Sequence, residues 1–283
     1  MYMDIVGFTK HHPFAEDHGH PEEDSFGYVS EGKIVVAVAD GISRDPLGMR
    51  VLPERDDEDG LRKASEKYPR PSPAKEAADL FCKSFVEFTK NFVGDGKSVI
   101  NILRQVNEKI RELNKDLKVN YLENDFAACV GSCGVIYEGY LYWGFVADCG
   151  VCVFDRRGEL KFRTECEGPR KEMDKDSLAK KGWSDPEWRV RVRKHYRNNS
   201  DELLSYGAFT GEKKAESFFR TGKIKLNEGD YVFFYSDGFE LIILGGNFDV
   251  VGEFEDLENY FEDRRDKIDG SEGTLVAFQV QDG

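Results

Sequence analysis

An apolar strand that ends in Asp-Gly occurs twice in this sequence, and it constrains the fold more than any other feature. Tyr231 to Ser236 runs into Asp237-Gly238, and Lys33 to Ala39 runs into Asp40-Gly41. A carboxylate at a strand end is rigidly placed, and the glycine after it lets backbone and ions approach closely. Each pair alone is more often a turn. The occurrence of two such pairs predicts a metal site.

Composition and charge limit the kind of protein that this sequence encodes. Its 283 residues are 40% hydrophobic and 13% aromatic, enough to bury one sizeable core, so we expect a single domain over residues 1–283. The 54 acidic and 40 basic residues leave a net charge of -14. Such acidity disfavours nucleic acid and anionic membranes as partners and favours local enrichment of cations. We find neither a membrane-spanning apolar run nor a secretory leader, so the sequence predicts a cytoplasmic protein. We also expect it to be a monomer.

The cysteines and histidines do not favour a transition-metal site. Six cysteines in a chain of this length are typical of reduced core thiols rather than a disulfide scaffold. Cys149 and Cys152 would point to opposite faces of a strand, so burial is favoured over a zinc cage. The histidines of the N-terminal region are expected to lie in a solvated polar loop. They are His11, His12, His18 and His20.

Two long helical patterns lie among groups of strand-like segments. Apolar residues recur at helical spacing from Ala77 to Phe92 and again from Val99 to Leu117. Because strands and helices occur in blocks rather than in strict alternation, the sequence predicts an α+β fold with largely antiparallel sheets. The predicted strands are Asp4 to Thr9, Ser25 to Val29, Lys33 to Ala39, Phe126 to Tyr137, Tyr140 to Ala147, Val151 to Phe154, Leu160 to Thr164, Tyr231 to Ser236 and Thr274 to Val280.

Polar segments between these elements are predicted to lie on the surface. The charged stretch Pro53 to Lys67 is expected to be a loop. A polar excursion is predicted at about residues 165–205, where the apolar periodicity fails and arginines accumulate. Short helices are expected from Glu212 to Arg220 and near Phe254 to Arg265.

Further acidic residues flank the predicted strands and are expected to converge at one edge. Glu23-Asp24 precedes one strand, Asp148 ends another, and Asp269 to Glu272 precedes the last. Carboxylate oxygens without accompanying histidine or cysteine favour Mg²⁺ or Mn²⁺ over zinc or copper. We therefore expect a site for one of these two ions.

Five motifs, in this order and spacing, give the sequence a resemblance to a known family. They are EEDSF at 22–26, VAVADG at 36–41, the block YEGYLYWGFVADCGVCVFDRRGEL, the segment LNEGDYVFFYSDGFE and the final EGTLVAF. Each motif is weakly specific by itself. Together they resemble the metal-dependent protein serine/threonine phosphatases of type 2C over nearly the whole chain.

The resemblance implies a four-layer α/β/β/α sandwich that holds two Mg²⁺ or Mn²⁺ ions, with a third more loosely bound. The ions would activate a water that attacks phosphate, so no protein nucleophile is needed. Asp40 and Asp237 would be the residues most essential to catalysis. In the implied ligand set, Asp40 bridges both ions, Gly41 offers its carbonyl, Glu23 or Asp24 is an outer ligand, Asp237 serves the second ion and Asp148 the third.

The sequence departs from the family pattern at the last ligand and beside the first one. Ser271 stands where the family has an aspartate three residues before Thr274, and either Glu272 or Asp269 would have to substitute. Ile42-Ser43-Arg44 follows the first Asp-Gly pair, so the histidine that serves some members as a general acid is absent.

The family's phosphate-binding arginine is also missing, since Gly19 lies near its place. His18, His20 and Arg44 are the nearby candidates to replace it. Arg193 and Arg197 of the basic run WRVRVRKHYRNN are further candidates, because guanidinium groups match phosphate oxygens in pairs. The alternative for this run is a solvated basic segment that offsets an acidic chain.

Three functional hypotheses follow. The first is a metal-dependent phosphatase that removes phosphate from serine or threonine of a phosphorylated protein. The second is a binding or regulatory module that keeps the fold and has lost efficient catalysis, as Ser271, Ile42 and the missing arginine suggest. The third is a phosphatase of a small phosphorylated metabolite.

Overall fold

A computed structural model describes residues 5–30, 32–54, 56–168, 176–246 and 248–281 of the chain. Three of the predicted segments extend past these limits. Asp4 of the first predicted strand, Arg55 of the predicted loop and residues 169–175 of the excursion lie outside the described residues.

Ten strands form two five-stranded sheets within the described residues. In chain order they are β1 (Ile5–His11), β2 (Ser25–Val29), β3 (Ile34–Gly41), β4 (Cys129–Tyr137), β5 (Tyr140–Val146), β6 (Gly150–Phe154), β7 (Leu160–Arg163), β8 (Arg220–Lys225), β9 (Tyr231–Tyr235) and β10 (Glu272–Gln279). One sheet has the order β1-β10-β9-β6-β7 and the other β2-β3-β4-β5-β8. Every neighbouring pair is antiparallel, as predicted.

Helices cover the outer faces of both sheets. The α-helices are α1 (Pro13–Asp17), α2 (Glu58–Ser65), α3 (Pro73–Phe88), α4 (Gly96–Leu113), α5 (Pro186–Arg191), α6 (Asp237–Leu244), α7 (Val250–Glu253) and α8 (Leu257–Glu262). Helices α3 and α4 pack together and on the sheet of β3, whereas α6 and α8 pack on the sheet of β10. The two sheets face each other across a third apolar layer. The predicted four-layer α+β sandwich is therefore confirmed.

Strand β3 shows why these segments form a sandwich. Ile34, Val36 and Val38 belong to the core between the sheets, and the alternate residues Val35, Ala37 and Ala39 belong to the core under the helices. Successive side chains of a strand point to opposite faces, so a strand that is buried on both sides must be apolar throughout.

The predicted helical stripes are core positions. Phe81 and Phe85 of α3 and Leu103 and Val106 of α4 are fully buried against the sheet. Each helix starts where a side chain caps it: the Ser72 hydroxyl accepts the Lys75 N–H, and the carboxylate of Asp95 accepts the Ser98 N–H.

Two predictions about local structure are wrong, and one strand was not predicted. The stretch predicted as a loop contains helix α2, which Asp57 caps by accepting the Gly60 N–H. The predicted helix before residue 220 is a 3₁₀ segment, Lys213–Phe218, and strand β8 follows it at once. Strand β8 is polar and pairs only with β5, so its own residues give little strand signal.

The polar excursion is folded rather than spread over the surface. Its described parts, residues 165–168 and 176–205, contain helix α5 and, together with the adjoining Tyr206, form a small apolar core. That core consists of Trp188, Val192, Tyr196 and Tyr206.

The cysteines behave as expected. Cys82, Cys129, Cys133, Cys149 and Cys152 are buried free thiols, while Cys166 is exposed. Cys149 and Cys152 lie in different apolar cores, which agrees with the expectation that they point to opposite faces. In the part of the chain that the structure describes, no helix is both long and apolar enough to cross a membrane.

Candidate metal centre

Strand ends from both sheets meet at one edge of the sandwich. In one sheet, β3 ends at Gly41 opposite Cys129, where β4 begins, and β2 begins at Ser25 opposite Ala39. In the other sheet, β9 ends at Tyr235 opposite Gly150, the first residue of β6. Because antiparallel strands alternate in direction, these starts and ends share an edge. The predicted convergence of acidic strand ends is thus built into the topology.

Asp40 is the penultimate residue of β3 and is only partly accessible to solvent. Gly41 after it is buried, and a Cβ atom there would lie 2.6 Å from the Glu23 carbonyl oxygen and 2.8 Å from that of Ala74. Glycine is therefore needed here because two backbone segments approach the strand end closely.

Asp237 is the first residue of α6, and only Ser236 separates it from the end of β9. A carboxylate at this position lies at the positive end of the helix dipole. A Cβ atom on Gly238 would collide with the backbone of Glu272 and Gly273, so this glycine also permits a close backbone approach. In this way the second Asp-Gly pair brings the start of β10 against the start of α6.

Asp148 lies in the tight turn between β5 and β6. Ala147 before it has a φ of 66°, a left-handed conformation that alanine rarely adopts. Such strain persists only where the surrounding structure enforces it, and it often marks a functional position. The Asp148 Oδ1 atom is buried, and no described group hydrogen-bonds to it.

Glu23 and Asp24 precede β2 and are both buried, but they differ in their partners. The Glu23 carboxylate accepts hydrogen bonds from the hydroxyls of Ser72, at 2.6 Å, and Ser43. Asp24 accepts one from the Ser236 hydroxyl at 2.7 Å. Each carboxylate is therefore anchored before any ion arrives.

Glu272, not Ser271, contributes the acidic group at the start of β10. Its Oε1 atom accepts the backbone N–H groups of Glu23 at 2.6 Å and Asp24 at 2.8 Å. Its Oε2 atom is buried without a hydrogen-bond partner among the described residues. Ser271 and the exposed Asp269 instead line a separate cavity, of about 490 Å³, with His18 and His20.

The carboxylates at this edge repel one another. Burial raises the pKa of Asp40 well above its ordinary value, and the charges of Asp24, Asp237 and Asp148 raise it further. Burial, Asp148 and Asp24 act in the same direction on the pKa of Asp237. Burial and the charge of Glu272 raise the pKa of Asp24 to about 7, and burial raises that of Asp148 to about 6. The centre therefore concentrates negative charge in a poorly solvated place.

These residues fit a hard divalent cation. All donors are oxygens, and a cation would relieve the mutual repulsion. Two buried carboxylate oxygens have no hydrogen-bond partner among the described residues, although His11 Nδ1 lies 3.7 Å from the one on Glu272. In the described parts of the chain, no three His, Cys, Asp or Glu side chains already converge as a preformed ligand set. Asp40, Asp237, Asp148 and Asp24 are the residues that would hold such ions, with Glu272 beside them.

A cavity of about 400 Å³ opens beside the centre and joins it to the folded excursion. Asp40, Gly41 and Asp148 line one part of it. Four arginines line another part, together with Trp183, Tyr68 and Tyr206. These are Arg44 from the segment after β3 and Arg189, Arg193 and Arg197 from the excursion. The structure thus brings all three predicted phosphate-binding arginines into the cavity that contains Asp40, and His18 and His20 into another.

Several residues of this region escaped sequence reasoning. Asp45 and Asp125 hold the arginines of the excursion, and Arg189 joins them. Ser236 links Asp24 to the backbone of β10 by donating to the carboxylate and accepting the Thr274 N–H. His11, predicted in a loop, ends β1 opposite Glu272. No local pattern marks these residues, because their partners lie far away in the sequence.

Comparisons with known proteins find the same architecture. No family model matches the chain, and no curated protein matches it by sequence. A bacterial serine phosphatase superposes with a TM-score of 0.61 at 14% identity, with all of both chains covered. The serine/threonine phosphatase PstP of Mycobacterium tuberculosis gives 0.57 at 14% identity with the same coverage.

Two matching structures were solved with divalent ions. The catalytic domain of PstP in complex with two manganese ions has a TM-score of 0.55 at 16% identity, over 99% of this chain and all of that one. RsbX in complex with magnesium also gives 0.55, at 12% identity, over 99% of this chain and 96% of that one. At such identities the likeness shows the fold. This chain has the fold of the type 2C serine/threonine phosphatases, as its motifs predicted.

Proposed function

We propose that this protein is a Mg²⁺- or Mn²⁺-dependent phosphatase that hydrolyses phosphoserine or phosphothreonine on protein. One observation carries the proposal: a cluster of mutually repelling carboxylates opens into a cavity whose other wall is lined with arginines. A phosphate ester is an anion, so it needs cations on both sides of such a cavity. Divalent ions on the carboxylate side and guanidinium groups on the other side would meet this need.

The chain's own residues have distinct parts in this proposal. Bound ions would supply Lewis acidity and an activated water. Asp40 and Asp237 would hold the ions from the ends of two strands in opposite sheets, so that the packing of the sandwich fixes their separation. Asp148 would add a third carboxylate from its strained turn. The serines that anchor Glu23 and Asp24 would hold these two carboxylates in place against the mutual repulsion.

The departures from the family pattern concern supporting positions rather than the two central aspartates. Glu272 supplies a buried carboxylate oxygen next to Asp24, which supports its role in place of the aspartate that Ser271 replaces. Ile42 lies on the cavity wall and offers no proton. The leaving serine or threonine oxygen would therefore take its proton from water, at some cost in rate.

Phosphate release from a phosphothreonine peptide tests this proposal directly. We expect turnover with Mg²⁺ or Mn²⁺, none with chelator, and none in the Asp237→Asn protein under any condition. Asp266→Asn is a matched control, because Asp266 is exposed and lies in the short 3₁₀ segment before β10. Unchanged turnover in the Asp237→Asn protein, or activity that survives chelation, would contradict the proposal.

A second candidate is a module that binds partners without efficient catalysis. It is favoured by the carboxylates that already have protein partners, since Glu23 is held by two serines and one Glu272 oxygen by two backbone N–H groups. Titration of the folded protein with Mn²⁺ separates the two candidates. Absence of binding together with absence of turnover would support the module, and metal-dependent turnover would exclude it.

The same assay distinguishes protein from metabolite substrates. A protein phosphatase should prefer the phosphothreonine peptide over small phosphate esters, because a peptide makes more contacts around the cavity. Higher kcat/KM on small phosphorylated metabolites would instead favour the third hypothesis and leave the metal chemistry unchanged.

A further inference from the structure

The four arginines on the cavity wall do not all have the same surroundings. Arg189 forms an ion pair with Asp45 at 2.9 Å, and Arg193 bridges Asp45 at 2.8 Å and Asp125 at 3.0 Å. Arg197 binds both oxygens of Asp125, at 2.9 and 2.5 Å. These three guanidinium groups are almost fully buried together with their two carboxylate partners. They form an ion-pair network that ties the excursion to the segment after β3, although the buried Nε atoms of Arg189 and Arg197 have no hydrogen-bond partner among the described residues.

Arg44 lies outside this network. Arg44 lines the same cavity as Asp40 and Asp148. No described residue accepts a hydrogen bond from its guanidinium or forms an ion pair with it. The side chain is only partly exposed, so water does not fully replace the missing partner. Burial lowers its pKa, although the guanidinium remains charged at any ordinary pH. The charges of Asp125 and Asp45 act to raise this pKa and that of Arg193 acts to lower it, but neither carboxylate forms an ion pair with Arg44.

The charges of the wall are therefore not balanced. Arg189, Arg193 and Arg197 share two carboxylates, Asp45 and Asp125, and Arg44 adds a fourth guanidinium that forms no ion pair with a described residue. A partly desolvated cation without a partner favours binding of an anion, and a guanidinium binds phosphate through two parallel hydrogen bonds. An anion at this place would also lie beside the carboxylate centre.

We infer that Arg44 is the residue that binds the phosphoryl oxygens of the substrate, in place of the arginine that the sequence lacks near Gly19. Arg193 and Arg197, which the sequence equally suggested, are held by Asp45 and Asp125 and serve to keep the excursion folded above the centre. The substrate group recognised is a phosphate monoester dianion. This inference rests on the proposed function only in its choice of phosphate as the anion.

Binding of inorganic phosphate tests Arg44 without any turnover. We would measure the rise in melting temperature with increasing phosphate, in the presence of Mg²⁺, for the native protein and for Arg44→Ala and Arg44→Lys. A ligand that binds only the folded state raises the free energy of unfolding by RT ln(1 + L/Kd) at free ligand concentration L, so the rise in melting temperature reports the phosphate affinity. We expect Arg44→Ala to weaken phosphate binding by at least about tenfold, as for loss of a charged hydrogen bond, and Arg44→Lys to recover part of it.

Arg50→Ala is the matched control, because Arg50 lies in the same segment with a side chain that is 71% exposed and outside the cavity lining. It should bind phosphate as the native protein does. Since Arg44 has no partner to lose, its variants should melt near the native temperature without phosphate. A parallel assay on an aryl phosphate should show a raised KM for Arg44→Ala that Arg44→Lys partly restores.

The outcomes separate this inference from the proposed function. Native phosphate affinity in both Arg44 variants would overturn it, and so would a native protein that binds no phosphate. Phosphate binding that depends on Arg44 in a protein without any turnover would support the inference while the proposed catalysis fails.

Discussion

The site contains two kinds of buried carboxylate, and they differ in what neutralises them. Burial acts to raise the pKa of Asp125, but Arg197 and Arg193 outweigh it and hold the pKa below its ordinary value. Asp40 is surrounded by Asp24, Asp237 and Asp148, and its pKa is well above the ordinary value. A charged group is buried at low cost only when its partner is buried with it. The carboxylates of the arginine network are thus neutralised within the protein, whereas the carboxylate centre needs cations from solution.

The difference separates a structural part of the site, the arginine network, from a functional part, the carboxylate centre. A carboxylate that is already paired with buried guanidinium groups needs no cation from solution. An unpaired cluster raises the energy of the folded chain and is stabilised by the ligand that it awaits.

Neutralising the centre should abolish activity and yet stabilise the fold. Asp40→Asn removes one of the mutually repelling charges, so we expect turnover to fall by at least about a hundredfold, as for loss of groups around a metal. With chelator, the same variant should melt at a higher temperature than the native protein. Asp59→Asn, at a side chain that is 85% exposed, should change neither quantity. A lower melting temperature in chelator would break the comparison.

Breaking the arginine network should instead destabilise the fold. Arg197→Met leaves Asp125 buried with one partner fewer, and loss of one member of a buried pair costs about 3–5 kcal/mol in the free energy of unfolding. Urea unfolding in the presence of Mg²⁺ measures this cost. Arg220→Met removes a half-exposed pair with Glu167 and should cost about 1 kcal/mol or less. Equal costs for the two variants would show that the buried network has no special role.

The two regions should also respond oppositely to pH. Burial raises the pKa of Glu23 to about 7, and burial and Glu272 raise that of Asp24 to the same value, so the folded state binds protons that the unfolded state releases near pH 4. Stability in chelator is therefore complete below about pH 4 for these groups and falls as pH rises through about 7. Asp125, with its lowered pKa, contributes stability above about pH 4 that is lost in stronger acid.

Thermal unfolding between these limits, with chelator and then with Mg²⁺, measures the carboxylate contribution. We expect the melting temperature to fall from weakly acidic to neutral pH in chelator, and Mg²⁺ to reverse most of the fall. Asp24→Asn should flatten the curve. A melting temperature in chelator that rises over this range would contradict the assigned direction of the pKa shifts.

The smallest expected effect concerns the strained turn at the centre. Ala147→Gly should stabilise the protein by up to about 1 kcal/mol, because glycine adopts a positive φ without strain. Glu138→Gly is a matched comparison at a turn far from the carboxylates, with a φ of 49°. Both variants should gain similar stability in urea. If the strain at Ala147 positions Asp148, only Ala147→Gly should also reduce turnover.

Sequence reasoning predicted the sandwich and its central aspartates because their signals are local. Strand β3 is a continuous apolar run, α3 and α4 carry regular stripes, and Asp40 and Asp237 lie directly at strand ends. Helix α2 was missed although Asp57 caps it, since charged residues obscure its apolar face. Strand β8 was missed because its register depends on β5 rather than on its own residues.

The arginine network was out of reach for a different reason. Arg193 lies 148 residues from Asp45, and Arg197 lies 72 residues from Asp125, so neither pair leaves a periodic pattern. The basic run was therefore compatible with phosphate binding and with a solvated surface. The structure shows a third arrangement, in which Arg193 and Arg197 pair with buried carboxylates. Arg44 was one of several candidates for phosphate binding. It is distinguished only because the other arginines of the cavity are paired with carboxylates.

The sequence alone determined that this protein has two antiparallel sheets between helices and that acidic residues end the central strands, because side-chain periodicity and strand termination are properties of neighbouring residues. The tertiary structure decided which charges are neutralised. Whether a buried carboxylate meets an arginine, as Asp125 does, or another carboxylate, as Asp40 does, depends on segments that become neighbours only when the chain folds.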